Sequence, residues 1–136
     1  MIAVDTSAII AVLKDEPDAS QLIACIARAS QRCISAGSVL ECGIVVGAQY
    51  GEAGLRGMRE LCAGLSLEIV PVDADQARMG YETFRRYGRG SRHPANLNFG
   101  DCFSYALAKT RNLPLLFKGD DFVHTDIEPA LKPARR

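Results

Sequence analysis

An α/β fold with a central, mostly parallel sheet of short strands flanked by helices is what this chain predicts, on three observations. Short apolar runs alternate with longer stretches of helical period along the whole sequence. Most of the helical stretches open on a capping signature placed directly after such a run. At 136 residues, with 48% apolar and 24% charged content, the chain has the size and composition of one soluble globular domain, not of a disordered or fibrous protein. We expect a single domain over 1–136, with about 129–136 as a frayed tail.

The elements follow in order. Ile2 to Val4 is a buried strand that breaks at Asp5, Thr6 and Ser7, and Ile9, Ile10, Val12 and Leu13 continue at helical spacing, with Thr6 or Ser7 as the cap. Pro17 ends this piece; Asp18 caps a second helix, with Gln21 at the capping-box position and Leu22, Ile23 and Ile26 facing inward. Arg32 to Ser35 is a weaker strand. Ser38 and Glu41 match a capping box for a helix through Leu40, Ile44 and Ala48. The glycines 47, 51 and 54 blur its end before another helix begins at Glu52. Leu67 to Val70 is a strand stopped by Pro71, and Asp73 with Gln76 opens a helix to about Tyr87 through Ala77, Tyr81 and Phe84. Residues 85–95 read as a loop. Asn98 then caps a helix carrying Asp101 in its first turn, which runs to Asn112, and Leu113 to Phe117 is the last strand, cut short at Lys118, Gly119 and Asp120.

Composition excludes several classes of function. Net charge is zero, so a polyanion would have to meet a local basic patch. The five cysteines (25, 33, 42, 62 and 102) show no metal-ligand spacing and are odd in number, which fits buried thiols in a reducing cytosol rather than a zinc site or a disulfide framework. The opening MIAVDTS shows no basic n-region and no long apolar h-region, no apolar run reaches membrane-spanning length, and a cytoplasmic protein with no membrane contact is expected.

Four acids share one topological feature. Asp5 follows the first strand, Glu41 lies in a first helical turn after the second, Asp101 in the first turn of the helix after Asn98, and Asp120 just past the last strand. In a parallel sheet those positions converge beyond the carboxyl ends of the strands, where such folds bind ligands. Carboxylates gathered there would repel one another without a cation, and their oxygens suit Mg²⁺ or Mn²⁺. The chemistry that fits is metal-assisted displacement at phosphorus. Each acid also has a plainer use: Glu41 as a capping glutamate, Asp101 as a first-turn acid, Asp5 and Asp120 in turns, with Asp121 competing for the role of Asp120. Arg85, Arg86, Arg89 and Arg92 in the 85–95 stretch are the natural phosphate contacts, with Tyr87 available to stack on an unpaired base. His93 and His124 fall in no motif and read as residues of solvated turns.

The opening MIAVDTSAIIAVL, the ISAGSVLE segment, the LNFGDCFSYALAK helix and the LLFKGDDF strand-turn together resemble the PIN domain, and more closely the VapC-type toxins of prokaryotic toxin–antitoxin pairs. The resemblance covers nearly the whole chain. It implies a PIN-like fold and a Mg²⁺- or Mn²⁺-dependent endoribonuclease that leaves a 3′-hydroxyl and a 5′-phosphate. Asp5, Glu41 and Asp101 match the core acids, with Asp5 and Asp101 as direct metal ligands and Glu41 as ligand or water-orienting base. The fourth position maps onto Asp120, with Asp121 open. Thr6 or Ser7 matches a polar position beside the first acid, and Asn98 matches the asparagine before the Gly-Asp pair. It also implies a cognate VapB-type antitoxin and a homodimer; Ile9, Val12, Leu13, Leu22 and Ile26 could serve such an interface or the core. Rival readings are a metal-dependent phosphatase or DNA nuclease using the same acids, a non-catalytic RNA-binding relative, and a phosphoacceptor domain, for which Asp5 lacks the adjacent acid.

Overall fold

In the computed structural model, which describes residues 1–132, the chain runs β1 (Ile2–Val4), α1 (Thr6–Leu13), α2 (Ala19–Arg28), β2 (Arg32–Ser35), α3 (Ala36–Gly64), β3 (Glu68–Val70), α4 (Ala74–Tyr87), α5 (Phe99–Arg111) and β4 (Leu115–Leu116). The strands form one sheet in the order β3-β2-β1-β4, and every pairing is parallel. The chain steps outward from β1 to β2 and β3, then returns on the other side of β1 as β4. That reversal opens a crevice beyond the carboxyl ends of β1 and β4.

Strand residues alternate between two cores, as a period of two requires. Ile2, Val4, Ile34 and Leu116 pack under α1, α2 and α3 with Ile9, Leu22, Ile26 and Val46. Ala3, Cys33 and Leu115 point the other way, onto Tyr105, Leu107 and Ala108 of α5 with Leu97 and Phe122. Ile9, Leu22 and Ile26 are therefore core residues, each stabilising the fold by about 1.5–3 kcal/mol through burial.

Local chemistry sets the helix starts, in places other than the sequence pattern suggests. Asp5, not Thr6 or Ser7, caps α1 and accepts from the Ser7 amide at 3.0 Å. Ser35, not Ser38, caps α3 through the Gly37 amide; the helix begins directly off β2, so Glu41 is no capping glutamate. Asp18 stands at the start of α2 but makes no capping bond, because its carboxylate is turned to the Lys118 ammonium. The expected break inside α3 is a single residue, Gly51, whose φ of 63° only glycine adopts cheaply. β4 is shorter than expected. The Asn98–Asp101 reciprocal cap of α5 is complete, with bonds of 2.9 and 3.0 Å, and Asn112 closes that helix in the left-handed region.

Ile23, expected to face inward beside Leu22 and Ile26, is 39% exposed, and Leu40, Ile44, Ala77 and Tyr81 also face outward. Periodicity had found the stripes but not the side the core lies on. The start of the expected tail is docked: Ala130 donates its amide to Leu115, and Ala130 and Leu131 pack on the first core. Residues 133–136 lie outside the described residues.

Candidate active site

The crevice collects acids. Asp5 leaves β1 with its amide bonded to the Leu116 carbonyl of β4, so the carboxylate stands where the two strands end. Its Oδ2 accepts from the Ser7 amide at 3.0 Å and from the Ser7 hydroxyl at 2.6 Å, and its Oδ1 accepts from the Ser104 hydroxyl at 2.5 Å. Ser7 in turn accepts from the Lys118 amide at 2.9 Å, which pins the turn after β4 to the first acid. Thr6 donates to the Ser38 carbonyl at 3.1 Å and lies against the Glu41 carboxylate. Its single hydrogen serves one of them at a time.

Asp101 is buried in the first turn of α5, with Oδ2 fixed by the Asn98 amide. Glu41 reaches in from α3 and lies directly over Gly100, where a β-carbon would stand only 2.7 Å from Oε1 and closer still to the rest of the carboxylate. Glycine at 100 is thus what lets the two helices bring their acids together. Asp121, in the turn after β4, hydrogen-bonds Asp101 and acts on the charge of Asp5. Asp120 and Asp121 are both exposed.

Electrostatics give the cluster its character. Burial pushes the Asp5 carboxyl above its ordinary range, against the lowering effect of the Ser104 and Ser7 bonds. Burial also raises Glu41, with Asp5 adding repulsion. Asp101 is pushed up to about 8, first by burial and then by Asp5 and Asp121, against the Asn98 bond. The charged groups that act most strongly on these three acids are other acids. The Lys118 ammonium is engaged by Glu16 and Asp18 instead. A largely buried cluster of acids with hydroxyls around it, whose strongest charged neighbours among the described residues are other acids, suits a hard divalent ion. Among the described residues no three acids are closed into a ready ligand cage, so an ion would have to draw them together.

The basic stretch splits. Arg85 and Arg86 lie in the last turn of α4, while Arg89 and Arg92 are exposed in the loop, where Arg89 donates its amide to Leu97, next to the Asn98 cap. Tyr87 is not available to a base: it is buried, edge-on to His93 at 4.7 Å, beside Tyr105, with the Arg86 guanidinium over its ring. His93 is not simply solvated either; it is half-buried and its Nδ1 accepts from the Ala95 amide. The sequence marks Gly100 as a place where another group can approach the backbone closely, and Glu41 is that group. Ser104 was passed over; its signal was its spacing from Asp101, one helical turn on.

The chain matches the PIN domain family over residues 2–128. It is 50% identical over 128 residues to ribonuclease VapC28 of Mycobacterium tuberculosis, covering 94% of this chain and 96% of that protein. The fold resembles the sarcin–ricin-loop-cleaving toxin VapC20 of the same organism, with a TM-score of 0.79 at 16% identity over 98% of this chain and all of that one. It also resembles a chain of a toxin–antitoxin complex from Klebsiella pneumoniae, with a TM-score of 0.61 at 20% identity over 85% of this chain and 83% of that one. A parallel sheet with acids at its switch point and half-identity along nearly the full length lead to one conclusion: the chain belongs to the PIN domain family, among its VapC-type ribonucleases.

Proposed function

We propose that this chain is an endoribonuclease toxin that cuts cellular RNA with a divalent ion, Mg²⁺ or Mn²⁺, held by Asp5 and Asp101, with Glu41 and Asp121 completing the site. The observation that carries the reading is the acid cluster at the carboxyl ends of β1 and β4, in which Asp5 and Asp101 are buried and the strongest charged neighbours among the described residues are other acids. A bound divalent ion would supply Lewis acidity, lowering the pKa of a coordinated water and offsetting charge at phosphorus. The chain does the rest. Asp5 is oriented from both sides by Ser7 and Ser104, and Asp101 is fixed by Asn98. Glu41, with a raised pKa and Thr6 beside it, accepts the proton of the attacking water. Asp121 takes the fourth position through its bond to Asp101, with Asp120 beside it in the same turn. Arg85, Arg86, Arg89 and Arg92 hold the RNA phosphates.

The surfaces suggest the partners. A groove of about 490 Å³ between α4 and α5, lined by Val72, Tyr81, Phe84, Phe99 and Phe103, is apolar and adjoins the mouth through Phe99, which is 76% exposed. A second copy of the chain seated there buries these rings and sets two mouths side by side. Leu40 and Ile44 flank Glu41 on α3 and offer a stripe to an antitoxin segment crossing the mouth. All five thiols are buried and free, in keeping with a cytoplasmic protein, and among the described residues no helix is long and apolar enough to cross a membrane.

The test compares a structured RNA pool, single-stranded DNA and a phosphomonoester as substrates, with Mn²⁺ present. Cuts confined to RNA, leaving 3′-hydroxyl and 5′-phosphate ends, are expected. Turnover of DNA or of the monoester alone would replace this reading with a different phosphoryl hydrolase.

A further inference from the structure

Two serines lie one helical turn from the two helix-borne acids. Ser38 precedes Glu41 by three residues on α3, and Ser104 follows Asp101 by three on α5, so each shares a face with its acid. Their hydroxyls meet at 3.1 Å, and they are 0% and 1% exposed. Ser104 also donates to Asp5 Oδ1 at 2.5 Å. A serine has one hydrogen, so Ser38 must be the donor in the bond between the two. The order is then fixed: Ser38 donates to Ser104, and Ser104 donates to Asp5, each bond polarising the next.

The acceptor count on Asp5 follows. Oδ2 already takes two donors from Ser7, while Oδ1 takes one from Ser104. A carboxylate oxygen has two lone pairs, so a single lone pair, on Oδ1, is left in the plane of the group. We propose that Ser104, backed by Ser38, is a positioning residue that fixes Asp5 as a one-oxygen ligand and ties the α3 and α5 acids to it. The inference rests on the metal-dependent reading above and deepens it. The hydroxyl pair is a direct hydrogen bond between the helix that carries Glu41 and the helix that carries Asp101. Without the Ser104 hydroxyl, Oδ1 loses its donor and the carboxylate is held from the Ser7 side alone. It can then turn toward a two-oxygen or misdirected geometry. Groups placed behind a ligand in this way typically change metal affinity or activity by about 10–100-fold when removed.

The test is Mn²⁺ binding, measured calorimetrically on the intact chain for the parent, Ser104→Ala, Ser104→Cys, Ser104→Thr and Ser38→Ala, with thermal unfolding in chelator alongside. Ser104→Ala is expected to bind Mn²⁺ about 10-fold more weakly or worse, with an unfolding temperature in chelator close to the parent's. Ser104→Cys keeps the volume but is a weak donor, and should fall similarly. Ser104→Thr keeps the hydroxyl and should recover most of the affinity, and Ser38→Ala should show a smaller loss because it acts through Ser104. If Ser104→Ala unfolds, Ser104→Cys reads the same question. Parent-like Mn²⁺ affinity in Ser104→Ala, or in Ser104→Cys, would overturn the positioning role while leaving the metal site intact. A parent that binds no Mn²⁺ overturns the metal reading itself and this inference with it.

Discussion

Gly100→Ala separates the site from the fold. The Glu41 carboxylate rests on Gly100, and an added β-carbon would lie 2.7 Å from Oε1 with the other carboxylate atoms inside that distance. Ordinary contact needs about 3.4 Å or more, so the carboxylate must move by at least ~1 Å, and a displacement of that size at a reacting group is worth about 100-fold in rate. The fold should hardly notice. Gly100 lies in the first turn of α5, where alanine is the better helix former by up to ~1 kcal/mol, and Glu41 is a half-exposed flexible side chain that can swing outward. The assay pairs kcat/KM for RNA cleavage with urea unfolding. The expected result is about 100-fold lower kcat/KM with stability within ~1 kcal/mol of the parent, and no further loss when Gly100→Ala is added to Glu41→Gln, since one displaces and the other disables the same carboxylate. Parent-like cleavage by Gly100→Ala, or losses that multiply with those of Glu41→Gln, would refute the contact argument.

Other consequences concern stability, pH and assembly. Asp101 has a folded-state pKa of about 8, raised above its unfolded value, so its contribution is complete in acid and is lost as pH rises through about 8. The metal-free chain should therefore melt lower at pH 9 than at pH 6, and Mn²⁺ should restore more at the higher pH, as a pH series of melting curves will show. By the same logic Asp101→Asn should stabilise the metal-free chain at pH 9 by ~1–3 kcal/mol, after discounting for water at the open mouth, while abolishing cleavage. Phe122 is buried against Phe117 beside Asp121, so Phe122→Ala should cost ~3–5 kcal/mol by thermal or urea unfolding. Tyr81→Glu and Phe99→Glu should each convert a dimer to monomer in sedimentation, and an unchanged mass would remove the α4–α5 groove as the dimer face.

How much of this was legible in the sequence depends on whether the determinant was local. β1 falls on the expected residues, since an apolar run of three closed by a polar cap leaves little choice, and β2 does so although only Cys33 and Ile34 in it are apolar. The Asn98–Asp101 cap was readable because both partners lie within one turn. Ser35 and Ser38 both satisfy a capping pattern, and only the direct junction of β2 with α3 decides for the first. The Tyr81 stripe was readable as a stripe but not as an outward one, because a face toward the core and a face toward a partner have the same period. Tyr87 looked like a base platform because its loop is basic, whereas its ring is held inside by His93 and Tyr105. The contacts Ser104–Asp5 and Gly100–Glu41 join residues 99 and 59 apart, which no local pattern reports. Strand-end topology and the resemblance to VapC-type chains both pointed to the acids, and the structure adds the groups that hydrogen-bond and pack against them.

Whether these acids work through a divalent ion on RNA is read most directly by cleavage of a structured RNA pool by the purified chain with Mg²⁺, with Mn²⁺ and with excess chelator, beside Asp5→Asn and Asp101→Asn. The expected cuts need the ion, return when it is restored, and vanish in both variants. Cutting that survives the chelator, or survives both substitutions, would contradict the divalent-ion reading.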